Sequence, residues 1–539
     1  MYRKVAAVWR FRRQFRLHRA AVFVQPERQY ISVKRGFHPL NNPWKYPFFI
    51  RRLMSEQKKG GTSPLDLLVS IFKYSIATWV NFIIYGSSLL LVAWFIPADI
   101  WGQLDIFIST STLIMNICIL GLDQSFMRFF NEPPSPLDKR GLLGSCFGIS
   151  AICLVVTGVF CYLVCPQQLL GIFFSEKMPN IYVAYLFVNA FMAMVGRYVN
   201  LVYRMSGSIK LYTLESVLMQ FFTKVFFIFG ALFSTELNTL VLWAVGGMSA
   251  FGLLFLFVIR KDITLSPRML FTQANRQLLP YGLALMPTAV MLWLNSLFSK
   301  VYIAKTIGNS QAGVFSMVST ISNVVAIIQA GFATFWSAFI YANYKTEQEK
   351  IKQVHDYLTF VIVEFFCVLV IFEDIIFWIL GSEYAAGKAV FPIMVLVPVF
   401  LIISETTVYG ISIAKKPIFD TIGIGLSVVT NILFCFLLAP KFQLYGVCLA
   451  LCLSNLVMFV FRTVIAQKLY CSIPSYLRTT VVCCILFVIT FFGTVWADSF
   501  ALKAAAGLVG MAVYVVIYRS QLASAFALGK EVLGKYLKK

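Results

Sequence analysis

Residues 147–164 read FGISAICLVVTGVFCYLV and residues 481–492 read VVCCILFVITFF; neither stretch holds a charge. A helix needs about 20 largely apolar residues to cross the hydrocarbon core of a bilayer. Apolar and polar residues do not alternate in these stretches, as they would in a transmembrane β-barrel. The expected fold class is therefore an all-α polytopic membrane protein. Working outward, fourteen stretches of this kind fill the chain after residue 65. They lie at roughly 71–96, 101–122, 142–165, 181–203, 211–233, 238–258, 279–303, 311–340, 357–380, 389–412, 418–438, 445–467, 477–497 and 499–518, and are numbered here as spans 1 to 14.

Composition agrees with a chain folded in lipid. Of 539 residues, 59% are hydrophobic and only 13% charged, with mean hydropathy +0.79. Soluble globular domains do not look like this. The function should then reside in the few polar residues that interrupt the spans.

The net charge of +23 is unevenly placed. The first 60 residues supply roughly +13 of it, with Glu27 and Glu56 as their acids. A basic tail can bind nucleic acid, but a basic cytoplasmic flank is the commoner cause in a membrane protein. No nucleic-acid partner is expected. With the N-terminus inside, the inner loops carry Arg128, Lys139 and Arg140; Arg204 and Lys210; Arg260, Lys261, Arg268 and Arg276; Lys345, Lys350 and Lys352; Lys415 and Lys416; Lys468 and Arg478. The outer loops offer Lys177, Lys305, Lys388, Lys441 and Lys503. With the basic tail included, the asymmetry is roughly fourfold, so both termini are expected in the cytoplasm and the protein in the plasma membrane.

Residues 1–53 do not fit the rest. They are Arg-rich and acid-poor, which suits a transit peptide or an interfacial segment. A third reading is that Met54 is the biological start, because it opens a short polar leader directly before span 1.

The 12 cysteines are scattered, mostly inside spans. Cys161 and Cys165, and Cys448 and Cys452, sit one helical turn apart. No His or carboxylate joins them at metal spacing, so they read as small apolar packers. None of His18, His38 and His355 falls inside a span as drawn above. The chain shows no Ser/His/Asp set, P-loop or GxGxxG after a strand, so neither catalysis nor a cofactor is expected.

A weak internal repeat has an offset of about 210 residues. It lays Ser109 and Thr110 on Ser319 and Thr320, Gly121 on Gly331, and Phe129 on Phe339. The same offset lays spans 1–6 over spans 7–12. Two six-helix halves in the same topology suggest parallel repeats. The expected organisation is a basic extension over 1–65, an N-lobe over 66–260, a linker over 261–278, a C-lobe over 279–468, appended spans 13 and 14 over 469–518, and a basic tail over 519–539.

Two stretches carry a family resemblance. Trp101-Gly102-Gln103 follows the first outer turn, and Gly121-Leu122-Asp123-Gln124-Ser125-Phe126-Met127-Arg128-Phe129-Phe130 ends span 2. Tyr409-Gly410-Ile411 leads into Lys415-Lys416-Pro417. With the number and spacing of spans over residues 66–518, the pattern resembles the oligosaccharide flippases (Wzx-like polysaccharide exporters). Their superfamily (MOP) also holds multidrug extruders and lipid II flippases. The resemblance implies an N-lobe facing a C-lobe across a central cavity. It implies a flippase that turns a polyprenyl-pyrophosphate-linked oligosaccharide across the membrane by alternating access. A polysaccharide polymerase and chain-length machinery would be partners beside membrane lipids. Residues 1–53 depart from the family pattern. Rival readings are a lipid II flippase, a multidrug/cation antiporter, and a membrane glycosyltransferase or polymerase. Lys224 argues against cationic drugs. The longest outer loop, near 166–180, is too short for the glycosyltransferase or polymerase.

Charges inside a bilayer cost about 2.5–3.5 kcal/mol on insertion scales and usually face a cavity or a partner. Lys224, near the middle of span 5, is either a cavity cation for pyrophosphate or an acidic sugar, or half of a structural pair. Arg197 and Arg204, seven residues apart, share one face of span 4. They form an inward-facing funnel, or else Arg204 ends the helix at the interface and Arg197 pairs with Glu215. Lys73 and Arg128 rim the same opening or anchor the inner face. Lys300 helps release the head group outside or snorkels to the interface. Candidate carboxylates for H⁺ or Na⁺ coupling are Glu405, Glu215, Glu364 and Asp123; Glu373 and Asp374 lie further outward. The alternative for each is an interhelical pair. The intramembrane asparagines read as hydrogen-bonding glue between helices, with sugar contacts as the alternative. Pro287, Pro392 and Pro398 are expected to interrupt their helices.

Overall fold

In the computed structural model, the described residues are 76–523 apart from 207 and 261–271. The basic extension, Met54, Lys73, most of the inter-lobe linker and most of the C-terminal tail lie outside them. Every regular element among the described residues is a helix. Among the described residues ten helices are long and apolar enough to cross a membrane, and one bent pair brings the number to eleven. The 52-residue helix Ile418–Leu469 is broken at Gln443, where φ is 47° and ψ −124°, so it supplies spans 11 and 12. Ile76–Phe95 and Gln348–Leu380 add spans 1 and 9. Fourteen helical segments thus coincide with the fourteen apolar stretches, and the chain is a multi-pass helical membrane protein. The end of the bundle at which span 1 begins is termed the near face, and the opposite end the far face.

Several spans depart from the expected outlines. Span 2 consists of Ala98–Cys118 and Leu122–Phe129, bent by 55°. Leu120 and Gly121 sit at the bend with φ of 54° and 66°. At Gly121 a Cβ would lie 2.1 Å from the carbonyl oxygen of Gly282, so only glycine allows span 7 to approach the bend. Span 5 stops at Lys224, and a four-residue helix, Ile228–Ala231, continues it after a turn. Span 10 is preceded by a 3₁₀ segment, Ser382–Val390, and divides into Phe391–Thr407 and Tyr409–Ile413. Pro392 does not interrupt it. It occupies the first turn, where no helical partner awaits its amide. Pro398 and Pro287 do lie inside their helices.

Span 4, Ile181–Met205, is the hub of the first six helices and packs against spans 2, 3, 5 and 6. Span 10 plays a similar part among the next six, touching spans 8, 9 and the long helix of spans 11 and 12. Spans 2 and 8 make the most extensive contact between these halves, and span 7 also lies on span 2. Span 14 rests on span 9, and span 13 on span 10. Asn431 joins spans 11 and 7 through Asn295 (2.9 Å) and Ser299 (3.1 Å), as glue between helices. Asn116 and Asn455 instead bond carbonyls of their own helices.

Candidate functional site

The intramembrane cations singled out in spans 4, 5 and 7 lie in two layers. The far layer begins with Asp105 of span 2, whose carboxylate lies 2.7 Å from Nζ of Lys300 in span 7. Asp105 is seven residues from the start of its helix, so the pair sits about 10 Å below the far face at 1.5 Å per residue. Both side chains are nearly enclosed, at 8% and 11% exposure. Lys300 also donates to Ser109 Oγ at 2.9 Å, one helical turn from Asp105. Lys300 therefore does not snorkel: it points into the protein and ties the two halves together.

Lys224 belongs to the same layer. It ends the helix Ile209–Lys224, where the free carbonyls and the helix dipole favour a cation. It lies about 22 Å along its helix from the near end, deeper toward the far face than mid-span. Phe227, in the turn that follows, stacks on Trp101 of span 2 with ring centroids 6.0 Å apart. This contact brings the break in span 5 beside Asp105. Nζ of Lys224 stands 5.4 Å from the ring centroid of Tyr85 in span 1. Asp105 and Lys300 both act on it electrostatically. Among the described residues Lys224 has no ion pair of its own, so two lysines stand near one carboxylate.

The near layer lies within the first half. Arg197 of span 4 binds Asp123 through Nη2 at 2.8 Å and Nε at 3.2 Å. Asp123 is 9% exposed and the Arg197 side chain 41%. The expected partner, Glu215, instead accepts from Asn200 at 2.6 Å. Next to Asp123, Ser125 donates to the carbonyl of Leu278 in span 7 at 2.7 Å. Arg204 and Arg128 are exposed at the near face, and Arg128 lies over the ring of Phe129. Neither joins Lys224. Of the six expected cavity cations, Lys224 and Lys300 come together, Arg197 sits in a separate layer, and Lys73 is outside the described residues.

The candidate coupling carboxylates do not form one group. Glu405 accepts from Gln329 at 3.0 Å and Tyr409 at 3.1 Å, within the second half. Glu364 has a buried oxygen without a partner among the described residues. Asp123 is held by Arg197, and Glu215 by Asn200. Glu373 and Asp374 meet Lys503 at 2.7 and 2.9 Å. Lys503, expected in an outer loop, is fully buried in the first turn of span 14. His355, expected outside the spans, is buried in the helix of span 9 between Thr406 (2.7 Å) and Thr479 (3.3 Å). No group of three or more metal-ligating residues occurs among the described residues, and the described cysteines are unpaired.

The two faces are closed differently. At the far face the start of span 2 meets the start of span 8 backbone to backbone. A Cβ on Gly313 would lie 1.7 Å from the carbonyl oxygen of Ala98. Trp94 donates to Ile379 O at 2.8 Å, the amide of Ala98 to Glu383 at 2.9 Å, and Tyr384 to Ile96 O at 3.1 Å. Asn309 donates to Glu176 at 2.9 Å. At the near face, Leu278 O, Asn275 and Gly282, all in the first turns of span 7, touch the first half.

Sequence reasoning named Lys224 and Lys300, and counted Asp105 with Asp123 among the acids of span 2 considered for coupling, but did not pair Asp105 with either lysine. The signal was present: Asp105 and Ser109 are four residues apart on one helix face, opposite an intramembrane lysine.

No known protein family matches the sequence, and no curated protein sequence is detectably similar. Solved structures do match. Lipid II flippase MurJ, in an inward closed conformation, aligns with a TM-score of 0.65 at 14% identity over 84% of this chain and 100% of that one. An outward-facing multidrug resistance MATE family transporter of the MOP superfamily aligns with a TM-score of 0.49 at 14% identity, over 76% of this chain and 98% of that one. That score is too low to weigh. The MurJ alignment runs the full length of the solved chain, and on that ground the protein shares the fold of that structure.

Proposed function

We propose that the protein is a flippase for a polyprenyl-pyrophosphate-linked oligosaccharide, serving surface polysaccharide synthesis in a bacterial plasma membrane. In this reading the two halves are the N- and C-lobes, both termini face the cytoplasm, and the near face is the cytoplasmic one. The observation that carries it is the grouping of two lysines near one carboxylate between the halves: Lys300 on Asp105, and Lys224 beside them without an ion pair of its own. Taking an ion out of water costs several kcal/mol unless a counter-charge compensates it. A chain that keeps Lys224 in the interior without its own carboxylate is suited to an anion that arrives and leaves. A pyrophosphate meets that need, while its lipid tail can stay in the bilayer. In this reading Arg197 and Arg204, which lie nearer the near face, meet the head group first, and a guanidinium fork suits phosphate oxygens.

Lys224→Ala and Arg197→Ala should each abolish export of the surface polysaccharide while the protein remains in the membrane. Undiminished export in both would end this reading. A second reading is a lipid II flippase, supported by the fold shared with MurJ. Complementation of strains lacking each activity separates the two, and the lipid-linked intermediate that accumulates on deletion identifies the sugar.

A further inference from the structure

The Asp105–Lys300 pair is the one ion pair that joins the halves among the described residues. The other ion pairs lie within the first half, within the second, or between span 9 and the appended spans 13 and 14. It sits just beneath the backbone contact between Ala98 and Gly313, so opening the far face would pull it apart. It also lies beside Lys224, which lacks a carboxylate of its own. We propose that Asp105 is an internal stand-in for the substrate's phosphate, and that an incoming phosphate or pyrophosphate group takes Lys300 from it and so unlatches the far face. This rests on the flippase reading above.

The electrostatics favour that order of events. Lys224, partly exposed and free of a carboxylate, is the first contact for an anion between the halves. An anion held there is drawn to Lys300, the other cation of the layer. Once Lys300 takes the phosphate over from Lys224, Asp105 on the first half has lost its cation and faces a like charge held by the second half. At such short range and low dielectric, repulsion of this kind is strong. The remaining far-face bonds involve a backbone group or a neutral side chain. They set the closed geometry, but an arriving anion gives them no reason to break. The latch thus reads the charge of the head group, which an uncharged lipid lacks.

Hydrogen–deuterium exchange on the full chain in lipid nanodiscs tests this. The amides at the far-face contacts, around 95–103 and 305–315, report opening; those around 275–285 report the near face. Polyprenyl pyrophosphate should speed exchange at the far-face amides several-fold, and phosphate-free polyprenol should not. Asp105→Asn should show the fast exchange with no lipid added, and Lys224→Ala should no longer respond to the pyrophosphate lipid. Should Asp105→Asn fail to fold, the exchanged pair, Asp105→Lys with Lys300→Asp, should restore slow exchange. Far-face exchange in Asp105→Asn equal to the unmodified protein would overturn the latch. So would an unresponsive far face in a protein whose export still depends on Lys224; in that case the flippase reading survives and the stand-in role of Asp105 falls. Undiminished export by Lys224→Ala strikes the flippase reading itself.

Discussion

The two charge layers contain the same chemistry and do different work. In the near layer, Asp123 and Arg197 belong to the same half, and the arginine side chain is 41% exposed. In the far layer, Asp105 and Lys300 belong to opposite halves and are nearly enclosed. A pair within one rigid group of helices moves with it and cannot report on its motion. Under the proposed rocking of the halves, a pair across the division is made or broken by that motion. Burial raises the stakes, because an ion left alone in the far layer has little water to turn to.

The comparison breaks first at its backbone support. Gly313→Val puts a side chain where even a Cβ lies 1.7 Å from Ala98 O. It should prevent the far face from closing and abolish export, measured beside an unchanged membrane level of protein. Next, Asp105→Asn should lower stability by about 3–5 kcal/mol, the usual cost of removing one partner of a buried pair. Thermal unfolding in detergent reads this as a large fall in midpoint. Lys503→Met should cost a similar amount by leaving Glu373 buried without its cation. Its partners Glu373 and Asp374 belong to span 9 and not to the ion pair between the halves, so comparing far-face exchange in the two variants separates stability from gating. Asp123→Asn should cost about 1 kcal/mol or less, because Arg197 is partly exposed. A loss as large as that of Asp105→Asn would erase the distinction between the layers. Smallest, Arg128→Ala should change stability by no more than about 0.5 kcal/mol, as expected of an exposed side chain.

What could be read without the structure followed from local chemistry. A run of apolar residues without charges has few options other than a spanning helix, so the all-helical fold and the fourteen segments were legible. Even the 52-residue helix was correctly divided, since Lys441 and Gln443 interrupt its apolar run. The interior charges Lys224, Arg197 and Lys300 stood out because such residues are costly in lipid.

Their partners did not stand out, and the reason is geometric. Which way a side chain points depends on the rotation of its helix and on the helix packed against it. Glu215 lies close to Arg197 in sequence, yet Asp123, 74 residues away, holds the arginine, because the bent end of span 2 packs against span 4. Lys300, near the end of its helix, could equally have reached for the interface. The contact of span 7 with span 2 turned it inward to Asp105 instead. Lys503 was drawn in the same way to Glu373 by the packing of span 14 on span 9. Composition alone determined that this chain lives in a membrane as helices and that it carries charges there. Tertiary packing alone decided that two of those charges bridge the halves, because an ion pair depends on separation in space and the chain order sets no such separation.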